Sequence, residues 1–304
     1  MTKPRAAAGL LGTAVLAGAL VPATASAAAG QASAACSLSL GSVTTAGDHK
    51  RQKVTATSPA SVTQPVLVST GLFPVDTVRL ASGLGFEPDP PSGWRYSGYA
   101  TIGNDLFAYQ YVLDQTTGQL DPASSVKRRV GGGWTPEYTY LEESRYSTRT
   151  STYALHGGVI NRWTVNAGVW RNKATYSGFS AVKTMTLISQ TATYDTFLAT
   201  TRGGALYTIH IPLSGAPVVK KVRASTWQGF ETLIAEKCGN QSTLLLGIDK
   251  DTRTAYLYAV SHANGTATVI KGLGTVGTEF AAFADKTYYR YYGADPEAPK
   301  LSGE

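Results

Sequence analysis

The sequence predicts an all-β protein, a five-bladed β-propeller closed by N-terminal strands that complete the last blade. Three observations predict it: a weak repeat of about fifty residues, short strand-like runs parted by turn residues, and the lack of a sustained helical stripe. The repeat is clearest in two consecutive segments, which open Tyr176-Ser-Gly-Phe179 and Trp227-Gln-Gly-Phe230. Each opening precedes four strand-like runs, the number typical of a propeller blade.

The first residues of the chain have the pattern of a secretion signal. Lys3 and Arg5 precede an apolar run over residues 6–21, and Ala25-Ser26-Ala27 matches an A-x-A cleavage site. A membrane anchor is the alternative, but the run is shorter than the ~20 residues that cross a bilayer. We therefore expect residues 1–27 to be removed, leaving a secreted monomer without a membrane span. Its single propeller domain would cover 28–292, with a flexible tail over 293–304.

The aromatic residues that open the repeat units set the number of blades. They follow one another at intervals of 45 to 61 residues: Phe73, Trp134, Phe179, Phe230 and Phe280. A β-sandwich with coincidental spacing is the alternative. The units also repeat a motif in their third strand, as in Leu206-Tyr-Thr-Ile209 and Leu257-Tyr-Ala-Val260. A sandwich seldom repeats both an opening motif and a third-strand motif in register, so five openings favour five blades.

The two ends of the chain supply the strands that the fifth unit lacks. After Phe280 the sequence offers FAAFAD and TYYRYY, two runs where a blade needs four. Before Phe73, SLSLGSVTT (37–45) and VTQPVLVST (62–70) are two further candidates, and the polar GDHKRQK (47–53) between them is expected to be a loop. Closure of this kind removes exposed sheet edges.

The sequence contains two cysteines, Cys36 and Cys238. In an exported protein an even pair is typically a disulfide, whereas two free thiols are the alternative. With SLSLGSVTT as the third strand of the closing blade, Cys36 begins that strand and Cys238 ends the first strand of the blade before it. We therefore predict a Cys36–Cys238 disulfide.

Charge and motifs exclude several classes of function. The 27 basic and 20 acidic residues give a net charge of +7, and dense basic runs are confined to Lys127-Arg128-Arg129 and Lys220-Lys221. These indicate solvated faces rather than a nucleic-acid site and leave weak attraction to anionic polymers open. Asp249-Lys-Asp251 lacks the glycine and distal glutamate of a calcium loop. No metal site, cofactor or catalytic residue is predicted.

Aromatic residues are the remaining signal. Tryptophan occurs five times and tyrosine 17 times, and aromatic rings stack on the apolar faces of sugars. The alternative is that the repeated aromatic residues simply pack between blades. His210 and His262 end the third strands of consecutive units, which indicates a role set by the repeat. The candidate ligand-binding residues are Tyr176, Trp227, His210, His262 and Trp134.

The segment from Trp227-Gln-Gly-Phe230 through Ala255-Tyr-Leu-Tyr258 to His262-Ala-Asn-Gly265 resembles the repeat of tachylectin-2-like propellers. The resemblance is distinct over 176–274. It implies five blades, binding of N-acetylated amino sugars between blades, and no enzymatic activity. This chain departs from the family in its irregular unit lengths and in lacking a polar constellation repeated from unit to unit, so one or two binding sites, or none, are expected.

The sequence therefore favours a secreted, non-enzymatic, carbohydrate-binding propeller that recognises a cell-wall or surface glycan. A secreted enzyme acting on a polysaccharide is the alternative, and would need two carboxylates converging in the fold. The pool of candidates is Glu137, Glu142, Glu143, Asp195, Asp249 and Glu279. A ligand-free scaffold for protein interactions is the third possibility.

Overall fold

The fold was described from a computed structural model, which covers residues 35–114, 116–276, 283–293 and 300–304. These residues form twenty-two β-strands and one 3-10 turn, Gly265–Ala267. The all-β class predicted from the sequence is confirmed. Within the described ranges no helix is long and apolar enough to cross a membrane.

Four strands precede the first repeat unit: β1 (Ser37–Val43), β2 (His49–Thr55), β3 (Ser61–Val62) and β4 (Val66–Ser69). β2 pairs antiparallel with β1 on one side and with β3 and β4 on the other. The predicted loop over GDHKRQK is wrong, because His49–Lys53 belong to β2. Burial alternates over the middle of the strand, where Gln52 and Val54 are buried while Arg51 and Lys53 are exposed, and His49 at its start is buried as well.

The next sheet contains five strands: β5 (Val78–Ala81), β6 (Leu84–Asp89), β7 (Gly93–Ile102), β8 (Asp105–Asp114) and β9 (Leu120–Gly132). β7 pairs with both β5 and β6, so these two short strands lie on the same side of β7. β8 and β9 extend the sheet antiparallel on the other side.

Three separate four-stranded antiparallel sheets follow. The first contains β10 (Tyr138–Tyr146), β11 (Arg149–His156), β12 (Val159–Asn166) and β13 (Val169–Tyr176). The second contains β14 (Val182–Gln190), β15 (Tyr194–Thr201), β16 (Leu206–Pro212) and β17 (Val218–Arg223). The third contains β18 (Thr232–Lys237), β19 (Thr243–Asp249), β20 (Thr254–Val260) and β21 (Ile270–Val276).

The last strand, β22 (Thr287–Gly293), joins the two ends of the chain. It pairs antiparallel with β1 and, over three residues, parallel with β6. β1 therefore lies next to β22, and the third position in the closing blade predicted for SLSLGSVTT stays a prediction. Of the two runs expected at the C-terminal end, TYYRYY forms β22, while residues 280–282 of FAAFAD lie outside the described residues.

The predicted Cys36–Cys238 disulfide is confirmed. The bond joins the residue before β1 to the residue after β18, with Cα atoms 5.5 Å apart. It closes a separation of 202 residues. The N-terminal strand is thereby fixed to the sheet that begins with β18.

Residues 300–304, the described end of the predicted tail over 293–304, pack against the sheets, and residues 294–299 lie outside the described residues. Leu301 is only 2% exposed and packs in the cluster of β10–β16 side chains that includes Phe197. The backbone of Leu301 accepts a hydrogen bond from Gln190, and Gly303 donates one to Ile188. An apolar side chain with backbone hydrogen bonds on both sides holds this segment against β14.

A histidine lies at the centre of an aromatic cluster between the N-terminal strands and β8. His49 is fully buried, and its Nδ1 is 2.8 Å from the Tyr111 hydroxyl. Its Nε2 forms a hydrogen bond with the Tyr291 hydroxyl. Burial, assisted by the charge on Arg51, lowers the pKa of His49 from 6.5 to about 3. The imidazole is therefore neutral and serves as a structural link between β2, β8 and β22.

Candidate functional site

A cavity of about 310 Å³ opens where five strands from different parts of the chain converge. Its walls come mainly from β5, β10, β14, β18 and β22. β5, β10, β14 and β18 are each the first strand of their sheet in chain order, and β22 pairs with the N-terminal strand β1. β10 lies beside β5 and β14, β18 lies beside β14 and β22, and β22 lies beside β5. We call this cavity the channel. Its charged lining residues are Arg79, Glu142, Lys183, Glu231, Lys250 and Arg290.

Glu142 is the carboxylate that β10 presents to the channel. Its Oε1 accepts hydrogen bonds from the backbone N–H of Gly83 (3.2 Å) and of Glu143 (2.9 Å). Burial raises the pKa of Glu142, and the positive charge of Arg290 opposes that rise. An added Cβ at Gly83 would lie 2.9 Å from Glu142 Oε1, so glycine is needed for this close approach.

A cluster of aromatic and charged side chains around Tyr292 connects the end of β22 to β10. The ring of Tyr292 lies between two guanidinium groups, with Arg145 Cζ at 5.5 Å and Arg290 Cζ at 5.0 Å from its centroid. The Tyr292 hydroxyl donates to Glu143 Oε1 at 3.0 Å, and Glu143 is ion-paired with Arg145. Glu143 is thus a structural anion, only 2% exposed.

Glu231 is held at the beginning of β18. It is ion-paired with Lys183, and its Oε2 accepts the backbone N–H of Lys250 at 2.8 Å. The Lys250 ammonium donates to the Lys286 carbonyl at 2.7 Å. Burial lowers the pKa of Lys250, an effect that Glu231 partly offsets.

A second cavity, of about 370 Å³, lies between the N-terminal strands and the sheet of β6 and β7. We call it the cleft. One wall is aromatic and is formed by Phe86, Tyr96 and Tyr291. The other lining residues come from β1, β2, the segment before β4 and the first residue of β4, and all except Val66 are polar: Ser39, Arg51, Gln52, Lys53, Thr63 and Val66.

The aromatic wall continues to the surface at Trp94. Trp94 is 41% exposed, and its ring contacts Phe86 edge-on with centroids 5.7 Å apart. Phe86 in turn packs against Tyr96, with centroids 5.5 Å apart. Val66, 54% exposed, borders the same cleft. An exposed aromatic and apolar surface next to charged hydrogen-bonding groups has the composition expected of a ligand site.

The two tryptophans predicted to bind ligand, Trp134 and Trp227, are buried against neighbouring rings, and their role in binding stays a prediction. Trp134 is 6% exposed and stacks on Tyr138 at 4.3 Å, while Trp227 is 5% exposed and lies 4.9 Å from Tyr258. Neighbouring rings cover both indoles, which agrees with the packing alternative drawn from the sequence. Neither indole offers a ring face to a ligand in this conformation.

The other three predicted residues lie in different places. Tyr176 is half-buried, with the Arg162 guanidinium 5.7 Å from its ring centroid. His210 stacks on Tyr194 at 4.2 Å, and its Nδ1 lies 2.6 Å from Glu304 Oε2. His262 is exposed in the loop after β20. The fold does not gather these side chains into one site, and their role in binding stays a prediction.

Of the five candidate carboxylates that belong to described residues, only Glu142 lines the channel. Asp195 is fully buried and accepts hydrogen bonds from Ser144, Arg149 and Tyr153, so it links β10 and β11 to β15. Glu137 is exposed and contacts His156, and Asp249 caps a hairpin turn. Glu279 lies outside the described residues.

Sequence reasoning missed most of the residues that line the two cavities. Arg79, Lys183, Glu231 and Arg290 carry no motif, and no pattern in the sequence singles out Trp94. A usable signal existed, since Lys183 and Glu231 are charged residues beside otherwise apolar runs, KTMTLIS and ETLIAEKC. A charge on the leading strand of a unit indicates a side chain that faces a polar space.

No known family profile and no curated protein matches this chain. Among solved structures it is similar to an α-L-arabinofuranosidase from Podospora anserina in complex with cellotriose, at a TM-score of 0.46 and 8% identity over 70% of this chain and 73% of that one. For the catalytic domain of a GH62 α-L-arabinofuranosidase from Coprinopsis cinerea, the TM-score is 0.45 and the identity 15%, over 71% of this chain and 74% of that one. For a lectin from Burkholderia pseudomallei, the TM-score is 0.41 and the identity 14%, over 80% of this chain and 70% of that one. Likenesses at this level do not define what this chain does.

Proposed function

We propose that this protein is a five-bladed β-propeller, closed by the pairing of β22 with β1, that binds carbohydrate in the cleft. The circular order of β5, β10, β14, β18 and β22 supports five blades. The predicted secretion of a monomer is part of this proposal. The Cys36–Cys238 bond supports export, because disulfides persist in oxidising compartments.

The aromatic wall of the cleft is the observation that carries the proposal. Trp94 and Phe86 offer ring surface on which the C–H face of a sugar can stack. Arg51 and Lys53, which are exposed on β2, line the same cleft with donors for hydroxyl groups. The cleft lies between two blades of the proposed propeller. This is the kind of location expected from the tachylectin-2-like repeat, although other residues form it.

A glycan array followed by titration of retained oligosaccharides tests the proposal. Trp94→Ala and Phe86→Ala should each weaken binding about tenfold, since a stacking contact contributes ~0.5–1.5 kcal/mol beyond area burial and a tenfold change is ~1.4 kcal/mol. Tyr256→Ala is the matched control, because Tyr256 is 38% exposed on β20, away from the cleft. Wild-type affinity in both cleft variants, or retention of no glycan at all, would contradict the proposal.

Hydrolysis of a polysaccharide is a second candidate function, favoured by one observation in the channel. Glu142 and Glu231 are two carboxylates that line one cavity in different environments: burial raises the pKa of Glu142, whereas Glu231 is ion-paired with Lys183. Paired carboxylates of unlike environment are the equipment of glycosidases. Release of reducing sugar by the wild type, abolished in both Glu142→Gln and Glu231→Gln, would establish this activity.

A further inference from the structure

The channel carries more positive than negative side chains. Four basic and two acidic residues line it: Arg79, Lys183, Lys250 and Arg290 against Glu142 and Glu231. Four of the charges lie on β5, β10, β14 and β22, and the other two lie just before β18 and just after β19, so they meet only in the folded chain. We infer that the channel is a binding site for a small anionic ligand, a site separate from the carbohydrate-binding cleft.

Arg290 is the most informative of these residues. Its side chain is 9% exposed, and the nearest carboxylate among the described residues, Glu236, lies 3.9 Å away, beyond hydrogen-bond distance. Its guanidinium also lies over the ring of Tyr292, with Cζ 5.0 Å from the ring centroid. A guanidinium has five N–H donors, and a buried cation is costly unless it is paired and hydrogen-bonded. An anion in the channel would supply the missing acceptors.

Arg79 and Lys250 also reach the channel without a carboxylate on their charged groups. Arg79 donates to the Trp134 carbonyl, and Lys250 donates to the Lys286 carbonyl. Both acceptors are neutral backbone oxygens. Within the described part of the chain, Lys183 is the channel cation whose ammonium contacts a carboxylate, that of Glu231.

These cations could instead serve only to join the strands, since Arg79 and Lys250 each bridge two segments of the chain. A bridging role explains the contacts to carbonyl groups. It does not explain Arg290, which is buried and forms no hydrogen bond to a described residue. The two explanations differ in what they predict for a charge-neutral substitution: a bridge loses stability, whereas a binding site loses affinity for an anion.

The size and chemistry of the channel limit the ligand. At about 310 Å³ it lies at the lower end of the ~300–1,000 Å³ range of small-molecule sites. Arginine pairs with planar carboxylates and with phosphates through two parallel hydrogen bonds. The ligand class is therefore a small molecule, such as a single sugar unit, that carries a carboxylate or a phosphate.

Calorimetric titration with matched pairs of ligands tests the inference. Galacturonate against galactose isolates the carboxylate, and glucose 6-phosphate against glucose isolates the phosphate. We expect at least one anion to bind ten times more tightly than its neutral counterpart, and its affinity to fall as salt is raised. Arg290→Gln should reduce that affinity at least tenfold. Lys271→Gln, which removes an exposed charge on β21, should not change it.

Two further variants keep the inference separate from the proposed glycan site. Trp94→Ala should leave anion binding intact, whereas Arg290→Gln should leave retention of glycans by the cleft intact. Should Arg290→Gln fail to fold, Lys250→Gln replaces it. Equal affinity for the charged and neutral members of both pairs would overturn the inference without affecting the cleft. Anion binding that survives both Arg290→Gln and Lys250→Gln would also overturn it.

Discussion

The buried neutral His49 predicts a steep acid dependence of stability. In the folded state its pKa is about 3, because burial and the charge of Arg51 disfavour the imidazolium. In the unfolded chain it returns to its ordinary value of 6.5. Below that value the unfolded state binds a proton that the folded state excludes. The contribution of His49 is therefore complete above pH 6.5 and is lost as the pH falls toward 3.

The magnitude follows from the size of the pKa shift. Each pKa unit corresponds to ~1.4 kcal/mol, so lowering the pKa from 6.5 to about 3 corresponds to about 5 kcal/mol over the full range. Most small domains have only ~5–15 kcal/mol of stability. Between pH 6.5 and 4.5 the loss assigned to this one residue is about 2.7 kcal/mol.

Urea unfolding of the wild type and of His49→Gln at several pH values between 7.5 and 4.5 measures this effect. The variant lacks the titrating group, so the difference in unfolding free energy between the two proteins should shrink by ~1.4 kcal/mol per pH unit below 6.5. Other carboxyl and histidine groups cancel in that difference. His262→Gln is the control, because His262 is exposed, and its profile should run parallel to that of the wild type.

Parallel profiles for the wild type and His49→Gln would refute the reasoning. A direct measurement covers the case in which the variant does not fold. The imidazole resonances of His49 in the wild type should show no protonation between pH 7 and 4.5, and a midpoint near 6 in the folded protein would equally contradict the assignment.

Three further predictions concern stability. Asp195→Asn should cost about 3–5 kcal/mol in chemical unfolding, because it leaves the Arg149 guanidinium without its buried anion, and a cost below 1 kcal/mol would contradict the role of Asp195 as a link between sheets. Replacing both Cys36 and Cys238 with serine should lower the unfolding free energy by ~2–5 kcal/mol, since the bond closes a long loop; unchanged stability would show that the N-terminal strand is held by pairing alone. Leu301→Ala should lower the unfolding free energy by about 2–5 kcal/mol and increase hydrogen exchange at the Ile188 and Gln190 amides. Wild-type stability of this variant would contradict a stabilising role for the C-terminal segment.

Local patterns allowed much of the fold to be predicted. Aromatic-x-Gly-Phe openings and turn residues are local features, and the sheets of β14–β17 and β18–β21 form where the two clearest units were placed. The Cys36–Cys238 bond was also predictable, because export and an even cysteine count favour a bridge and closure of the ends brings the two together. The strand β2 was missed because its polar residues give a strand pattern only when alternate residues are buried by other sheets.

The candidate sites depend on the tertiary structure for a physical reason. Arg79, Glu142, Lys183, Glu231 and Arg290 are far apart in the chain, and each alone is an ordinary charged residue beside a strand. They become a site because the leading strands converge and place their charges in a poorly solvated space. For the aromatic residues, by contrast, the sequence signal was strong but the fold buries the side chains. Trp134 and Trp227 carried the repeat signal because they pack the blades, and packing removes their rings from solvent. Local sequence patterns determine most of the strands, whereas their convergence in the fold decides which side chains remain open to a ligand.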